Sequence, residues 1–270
     1  MIPLIVLDLD GTIVGKQGVV QECVWNAISE AQEKGMKFAV CTGRLGVGTA
    51  QKIAQRLGPN NPHIFQSGAH IAYASGEAYK VFALKEAVTK TIIETARGLG
   101  VVLELYTPST LYVERTTPLS EAHAKMLGTT AIVRDLIEVV EVEPIIRAQW
   151  VVTAEEYPFV SDLSFEGIQA SSATAPAQKG AYFVSLTQKG VSKGMSVELL
   201  AKAMKVELKD VMAIGDSHGD LPMLERVGFP VVMANASGEL KAIYSRQAGD
   251  VEECGIVDTI AFALNHPASF

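Results

Sequence analysis

Short apolar segments alternate with longer amphipathic ones along much of the chain. Apolar runs of this length are typical of strands buried on both faces of a parallel sheet, and they lie at Ile2–Leu7, Phe38–Cys41, Val211–Ile214 and Phe229–Met233. Apolar residues at helical spacing predict helices at about Val19–Lys34, Val47–Leu57, Ser192–Met204 and Ser237–Ser245. Because strands that alternate with helices form covered parallel sheets, the pattern predicts a doubly wound α/β fold.

The alternation is interrupted after the second predicted strand. From about Phe82 to Phe183 the sequence mixes helical patterns with β-rich stretches, and the segment is long enough to be a domain. The β-rich stretches are Val101–Tyr106, Leu111–Val113 and Trp150–Thr153. We therefore expect a core of residues 1–81 and 186–270 and an inserted cap of residues 82–185.

Local signals predict where the chain leaves and rejoins the core. A hairpin around Gly76, formed by His70–Tyr73 and Ala78–Val81, marks the exit, and the strand Tyr182–Leu186 marks the return. Ser171–Ala177 is rich in small residues and contains a proline, so we expect a surface linker there.

Composition narrows the class of protein. The 270 residues are 48% hydrophobic and 20% charged, which is ordinary for a globular chain of one large or two modest domains. The net charge of -7 argues against nucleic acid or an anionic membrane as the main partner, because both favour basic surfaces. A small anionic substrate is still compatible with this net charge if positively charged residues are concentrated around its binding site.

The cysteine content and the N-terminal sequence indicate in which cellular compartment the protein is expected. Cys23, Cys41 and Cys254 are few and widely spaced, so we expect neither a disulfide framework nor a zinc site. The sequence enters its first strand without a basic segment or a cleavage signal, and no apolar run approaches about 18 residues. We expect a cytoplasmic protein that is neither secreted nor membrane-spanning.

Two carboxylates directly follow the first predicted strand. Asp8 and Asp10 are one residue apart, at the strand end where parallel sheets bind ligands, and Gly11 permits a sharp turn. A carboxylate there can attack phosphorus and hold a metal ion, while its neighbour transfers protons. An Asx turn would explain one aspartate but gives no reason for the second.

The second and third predicted strands also end in polar residues. Thr42-Gly43-Arg44 follows one strand, and Thr42 can hydrogen-bond a phosphoryl oxygen or cap the next helix. Gly215-Asp216 ends another strand, and Asp220 is either a site residue or a helix N-cap. Clustered acids repel one another unless a divalent cation lies among them, and a set of oxygen ligands favours Mg²⁺ over zinc.

Lys193 lies in the first turn of a predicted helix capped by Ser192. A cation at that end opposes the helix dipole unless an anion is near, which favours a phosphate-binding role. A nucleotide-binding P-loop is disfavoured because its glycine and lysine pattern is missing from the sequence. A nicotinamide-binding site is disfavoured because Asp8 and Asp10 would lie where a pyrophosphate needs backbone N–H groups.

Taken together and in this order, four segments resemble the haloacid dehalogenase superfamily of phosphohydrolases. They are Asp8-Leu9-Asp10-Gly11-Thr12, Thr42-Gly43-Arg44, Lys193 and Gly215-Asp216-Ser217-His218-Gly219-Asp220. An insertion between the threonine and lysine motifs resembles the Cof-type branch, whose members carry an α/β cap there. The resemblance implies a Rossmann-like parallel-sheet core with a smaller inserted α+β cap.

The resemblance also implies roles for the site residues. Asp8 would form an aspartyl-phosphate, and Asp10 would protonate the leaving group and then activate water. Thr42, Gly43 and Lys193 would contact the phosphoryl group, and Arg44 would meet the substrate or the cap. Mg²⁺ would be held by a set of oxygens from Asp8, the main-chain carbonyl of Asp10, and Asp216, with Asp220 ligating the metal or orienting a metal-bound water.

The chain departs from the Cof-type pattern at Gly219, Ser67 and Ala234. The expected activity is a Mg²⁺-dependent phosphatase for small phosphomonoesters, with sugar phosphates favoured and phosphoglycolate, flavin or pyridoxal phosphates open. A phosphotransferase or phosphomutase on the same scaffold is an alternative, as is a catalytically silent binding module. No pattern in the sequence indicates an oligomeric state.

Overall fold

A computed structural model describes residues 1–175 and 178–266 of the chain. The chain divides into two compact units. The core unit comprises Met1–Gly46, Ala50–Tyr79 and Ser192–Phe270, and the insert unit comprises Val47–Thr49 and Lys80–Val191. The functional assignment of these units as catalytic core and cap stays a prediction.

Strands and helices alternate at both ends of the chain, and strands dominate its middle. The strands are β1 (Leu4–Leu7), β2 (Lys37–Val40), β3 (Pro62–Phe65), β4 (His70–Tyr73), β5 (Ala78–Val81), β6 (Val102–Tyr106), β7 (Leu111–Val113), β8 (Ala131–Val133), β9 (Arg147–Thr153), β10 (Ile168–Ala175), β11 (Gln178–Gln188), β12 (Val211–Gly215) and β13 (Phe229–Val232). The α-helices are α1 (Glu22–Glu33), α2 (Gly48–Leu57), α3 (Glu86–Leu99), α4 (Pro118–Met126), α5 (Leu136–Val142), α6 (Tyr157–Val160), α7 (Lys193–Met204), α8 (Leu221–Leu224), α9 (Gly238–Ile243) and α10 (Val257–Asn265).

The core unit is built on a parallel sheet with the strand order β13-β12-β1-β2. Every residue of β1 is buried, and Ile5 and Leu7 belong to an apolar cluster that includes residues of α1, α2 and α10. A parallel bridge between Cys41 and Ile64 continues the sheet to β3, which the sequence patterns did not predict. The predicted α/β fold with a parallel sheet is confirmed, and the carboxyl ends of β12, β1, β2 and β3 lie along one edge.

The insert unit contains a six-stranded sheet in the order β10-β11-β9-β6-β7-β8. Alternate residues of its central strands, among them Leu105 and Trp150, pack in an apolar cluster with α3 and α5. Several of the intervening residues, among them Glu104 and Gln149, are polar and buried. Glu104 is 0% exposed and accepts hydrogen bonds from His123 Nδ1 at 2.9 Å and Gln149 Nε2 at 3.3 Å. One face of this sheet is therefore apolar, and the other carries buried polar groups that bond to one another.

The prediction of a surface linker at Ser171–Ala177 is wrong for the residues of this segment that the structure describes. Ser171 to Ala175 lie in β10, which pairs antiparallel with β11, and residues 176–177 lie outside the described residues. Serine and alanine, which make up most of this segment, have no strong preference for a strand, so pairing with β11 decides the conformation.

The spacing of the cysteines predicts no disulfide framework, but the structure contains one disulfide. Cys23, in α1, and Cys254 are joined by a disulfide with their Cα atoms 6.2 Å apart, although they lie 231 positions apart in the sequence. Sequence spacing gives no signal for a pair this distant. Two hydrogen bonds of 2.8 Å tie the same segments, from the Lys16 backbone N–H to Glu252 Oε1 and from Gln21 Nε2 to the Glu252 carbonyl. None of the described helices has the length and apolar character needed to cross a bilayer.

Candidate active site

Two acids meet where β1 and β12 end side by side. Asp8 follows β1, and its backbone N–H donates to the Ile214 carbonyl at 3.0 Å. Asp216 follows β12, and its carboxylate packs against Gly11, where an added Cβ would lie 2.1 Å from Asp216 Oδ2. Gly11 also has a φ of +79°, so both its backbone conformation and its surroundings require glycine.

Asp8, Asp216 and Asp220 form a compact cluster. Each offers a carboxylate oxygen, and these three atoms lie within 4.8 Å of one another. Asp8 and Asp220 are buried, whereas Asp216 is partly exposed. The sequence predicted that acids would gather at this strand edge, and the structure brings these three together.

Lys193 lies between two of these acids. Its Nζ donates to Asp8 Oδ1 and to Asp220 Oδ1, both at 2.6 Å. The lysine is placed by the start of α7, where Ser192 Oγ accepts the Met195 N–H at 3.1 Å as predicted for an N-cap. The two carboxylates offset the unfavourable interaction of a first-turn cation with the helix dipole.

The carboxylate of Asp220 is already occupied by protein donors. Its Oδ2 accepts the backbone N–H groups of Asp216 at 3.1 Å and Ser217 at 3.0 Å and the Ser217 hydroxyl at 2.9 Å, and its Oδ1 accepts Lys193. It stands at the N-cap position of α8 but makes no side-chain cap bond to that helix. In this arrangement Asp220 braces the loop that carries Asp216.

Burial dominates the electrostatics of the cluster. It raises the pKa of Asp8, against the opposing charge of Lys193 and with a further rise from Asp220. Burial and the charge of Asp220 raise the pKa of Asp216 to about 6. Burial lowers the pKa of Lys193, but Asp220 and Asp8 outweigh it, so the lysine pKa lies well above its usual value.

The cluster fits a metal ion. Three carboxylates and one ammonium leave two negative charges, which a divalent cation would balance. Asp216 Oδ1 is buried and has no hydrogen-bond partner among the described residues. A buried carboxylate oxygen without a donor is a suitable ligand for a hard cation. Asp8 and Asp216 are the side chains best placed to hold it.

Asp10 and Arg44 form a two-pronged ion pair. Arg44 Nε donates to Asp10 Oδ2 at 2.7 Å, and a terminal nitrogen donates to Oδ1. The Asp10 side chain is 58% exposed, and that of Arg44 is 16% exposed. The structure therefore places Arg44 on the carboxylate expected to transfer protons, a contact that the sequence did not predict.

The threonine motif forms a compact turn after β2. Thr42 is 1% exposed, its Oγ1 accepts the Arg44 N–H at 3.2 Å, and its own N–H donates to the Ile64 carbonyl at 2.9 Å. The helix cap considered as an alternative for Thr42 is not formed, because α2 begins only at Gly48.

In the sequence, Ser67 stands out only as a departure from the Cof-type pattern. The structure places it in the turn after β3, where its N–H donates to the Thr42 carbonyl at 2.9 Å. Recognition of Pro62–Phe65 as a fifth parallel strand would have located this turn at the site edge, since ligand contacts come from the carboxyl ends of such strands.

Known proteins match almost the whole chain. A model of the haloacid dehalogenase-like hydrolases matches residues 5–260. A candidate phosphatase of Streptococcus pyogenes serotype M6 is 27% identical over 96% of this chain and 97% of its own length. A phosphoglycolate phosphatase of Methanopyrus kandleri is 26% identical over 90% of this chain and 89% of its own.

Solved structures share the fold. A sugar phosphatase assigned to subclass IIB of the same superfamily superposes with a TM-score of 0.77 at 19% sequence identity, over 97% of this chain and 99% of its own. The family match, which extends from β1 into α10, includes Asp8, Thr42, Lys193 and Asp216. This chain belongs to the haloacid dehalogenase-like hydrolase family.

Proposed function

We propose that this protein is a Mg²⁺-dependent phosphatase that hydrolyses small phosphomonoesters through an aspartyl-phosphate on Asp8. One observation carries the proposal: three carboxylates cluster at the ligand-binding edge of a parallel sheet, two of them bond to a single buried ammonium, and the set keeps two negative charges when all three are ionised. A nucleophile, a countercharge for phosphoryl oxygens and a place for a divalent cation are thereby combined within a few ångströms.

The chemistry has two displacements. An Asp8 oxygen forms a bond to phosphorus as the bond from phosphorus to the leaving alkoxide breaks, and Asp10 gives that alkoxide a proton. Water then loses a proton to Asp10 and attacks the phosphorus, which releases inorganic phosphate and restores Asp8. Mg²⁺ held by Asp8, the Asp10 carbonyl and Asp216 would supply charge neutralisation and orientation of the phosphoryl group.

The surrounding residues would position the phosphoryl group. Lys193 would stabilise its oxygens from one side, and the Thr42 hydroxyl and Gly43 backbone would contact it from the end of β2. Arg44 donates two hydrogen bonds to Asp10 and would orient this carboxylate as the base that takes a proton from water. Asp220 would keep Asp216 in place through the bonds to the loop between them.

Sugar phosphates are the substrates that we favour, and residues 82–185 are proposed as the cap that selects them. The support is the fold shared with a sugar phosphatase, while the substrate named for the Methanopyrus relative differs. A cytoplasmic location is proposed from the sequence. Isolation of the protein from cells with its Cys23–Cys254 disulfide intact would contradict it, because disulfides are rare in reducing compartments.

The test is phosphate release from a panel of sugar, glycolate, pyridoxal and phenyl phosphates, with Mg²⁺ and with a chelator. The native protein is compared with Asp8→Asn and with Asp258→Asn, which makes the same chemical change at an exposed residue of α10. We expect metal-dependent release that Asp8→Asn abolishes and Asp258→Asn retains. Transfer to an added acceptor alcohol in place of water would identify a phosphotransferase, and no turnover of any ester would refute the proposal.

A further inference from the structure

The turn between β3 and β4 has an uncommon backbone. Gln66, Ser67 and Gly68 are consecutive, and their φ angles are +49°, +55° and +106°. Two of these residues carry side chains, for which this region of backbone space costs free energy. Such a conformation persists where the surrounding structure holds it, and it is frequent at ligand sites.

The turn is held from two sides of the active site. The N–H of Gln66 donates to the Arg44 carbonyl at 2.9 Å, and that of Ser67 donates to the Thr42 carbonyl. On the other side, Ser196 Oγ in α7 donates to the Gly68 carbonyl at 2.8 Å. A Cβ on Gly68 would lie 2.4 Å from the carbonyl oxygen of Ser192, the residue before Lys193. The turn is therefore fixed against both phosphate-binding segments.

Ser67 is the residue that this turn presents to solvent. It is exposed, whereas every other residue from Pro62 to Ala72 is buried. Its Oγ lies 3.4 Å from where a Cβ on Gly43 would be. Because β3 continues the parallel sheet beyond β2, Ser67 stands at the carboxyl edge, one strand further from Asp8 than Thr42.

We propose that Ser67 is a specificity residue whose hydroxyl hydrogen-bonds a hydroxyl group of the substrate's organic part. The inference rests on the proposed phosphatase function and extends it to one side chain. Lys193 bonds to Asp8, and strand order places Thr42 and Gly43 nearer to Asp8 than Ser67. In the proposed mechanism these three residues contact the phosphoryl group, so a polar group one strand further out would meet the part of a sugar phosphate beyond the ester bond. The strained backbone is maintained because it aims this hydroxyl.

The test compares Ser67→Ala and Ser67→Gly with the native protein on two kinds of ester. One kind is the set of hexose and pentose phosphates that the native protein hydrolyses, and the other is phenyl phosphate, which has no hydroxyl group on its organic part. The loss of one hydrogen bond lowers kcat/KM about fivefold. We expect this loss for at least one sugar phosphate, mostly through KM, and an unchanged value for phenyl phosphate.

Lys205 supplies the matched control. It has a φ of +57° at the C-cap of α7 and is exposed. Lys205→Gly and Ser67→Gly should each raise the melting temperature by about 2 °C through relief of backbone strain. Only Ser67→Gly should change the preference between the two kinds of ester.

The outcomes separate the two proposals. If the native protein hydrolyses both kinds of ester and the Ser67 variants keep the native ratio of kcat/KM values, the role of Ser67 is refuted and the phosphatase function stands. If the native protein hydrolyses glycolate or pyridoxal phosphate but no sugar phosphate, the role of Ser67 is refuted and the phosphatase function stands, and if it hydrolyses no ester of the panel, both proposals fail.

Discussion

Replacement of Lys193 by methionine removes the ammonium that lies between Asp8 and Asp220 and keeps most of the apolar stem. The short distances and the burial of this ion pair determine how much the free energy of unfolding should change. Lys193 Nζ lies 2.6 Å from an oxygen of each acid, and the side chains of the lysine, Asp8 and Asp220 are 7%, 8% and 0% exposed. Removal of one partner of a buried ion pair costs about 3–5 kcal/mol. We therefore expect the free energy of unfolding to fall by an amount of this order at pH 8 in the absence of divalent cations.

The loss should depend on pH with a definite sign. In the native protein burial raises the pKa of Asp8 from 3.8 to about 8, and Lys193 opposes the rise. Without that opposition the pKa rises further. A carboxyl group whose folded pKa lies above its unfolded value stabilises the fold at low pH, and this contribution is lost as the pH rises through the folded pKa. The part of the Lys193→Met deficit that comes from Asp8 should therefore be absent at low pH and grow as the pH rises above about 8, where the native carboxyl group ionises.

Urea unfolding at several pH values, in the presence of a chelator, measures this deficit. Lys202→Met, which changes an exposed lysine of the same helix, serves as the control and should unfold like the native protein. Addition of Mg²⁺ should restore part of the stability, and phosphate release should fall at least about a hundredfold. A Lys193→Met protein that unfolds at the native urea concentration at pH 8 would refute the electrostatic reasoning.

Three further predictions follow from other contacts. Gly11→Ala places a methyl group 2.1 Å from Asp216 Oδ2, so it should lower the melting temperature and abolish the stabilisation by Mg²⁺ in a thermal-shift assay. Cys23→Ser removes a covalent link between positions 231 apart in the sequence and should lower the free energy of unfolding by about 3–5 kcal/mol under oxidising conditions, but not in excess reductant. Burial lowers the pKa of His63 from 6.5 to about 4. As the pH falls, this histidine therefore takes up a proton in the unfolded chain before it does so in the folded protein. The free energy of unfolding should therefore fall by up to about 3 kcal/mol between pH 6.5 and pH 4. In His63→Gln, the free energy measured by urea unfolding should depend less steeply on pH over this range.

Each of these three predictions has an outcome that would contradict it. Retention of the Mg²⁺-induced shift by Gly11→Ala would place the cation elsewhere, and a reductant effect that persists in Cys23→Ser would trace to another group. An unchanged acid slope in His63→Gln would show that other residues take up the protons.

The order of the core elements could be predicted from the sequence because their local signals agree with their tertiary environment. β1 is apolar throughout and buried on both faces, and α7 begins at a serine cap that the structure confirms. The gathering of Asp8 and Asp216 at one edge followed from the parallel pairing of their strands. These features depend on short segments and on one general property of parallel sheets.

The remaining features depend on partners distant in sequence. β3 is only four residues long, pairs antiparallel with β4, and joins the parallel sheet through a single bridge from Ile64 to Cys41. Ser171 to Ala175 become a strand through pairing with β11, and the contact of Arg44 with Asp10 joins residues 34 positions apart. No periodicity within a segment encodes such contacts. For the same reason the sequence could mark Ser67 as unusual but could not place it beside Gly43.

The Cys23–Cys254 disulfide changes what a cut in the polypeptide does. It closes a covalent ring that contains the whole insert segment Lys80–Val191. A protease that cleaves once anywhere in that segment produces two fragments that remain one molecule, which migrates as a single species until thiol is added. The sheet strands β1 and β12, on opposite sides of the cut, then stay tethered at high effective concentration. The nicked enzyme is thereby protected from dissociation into halves.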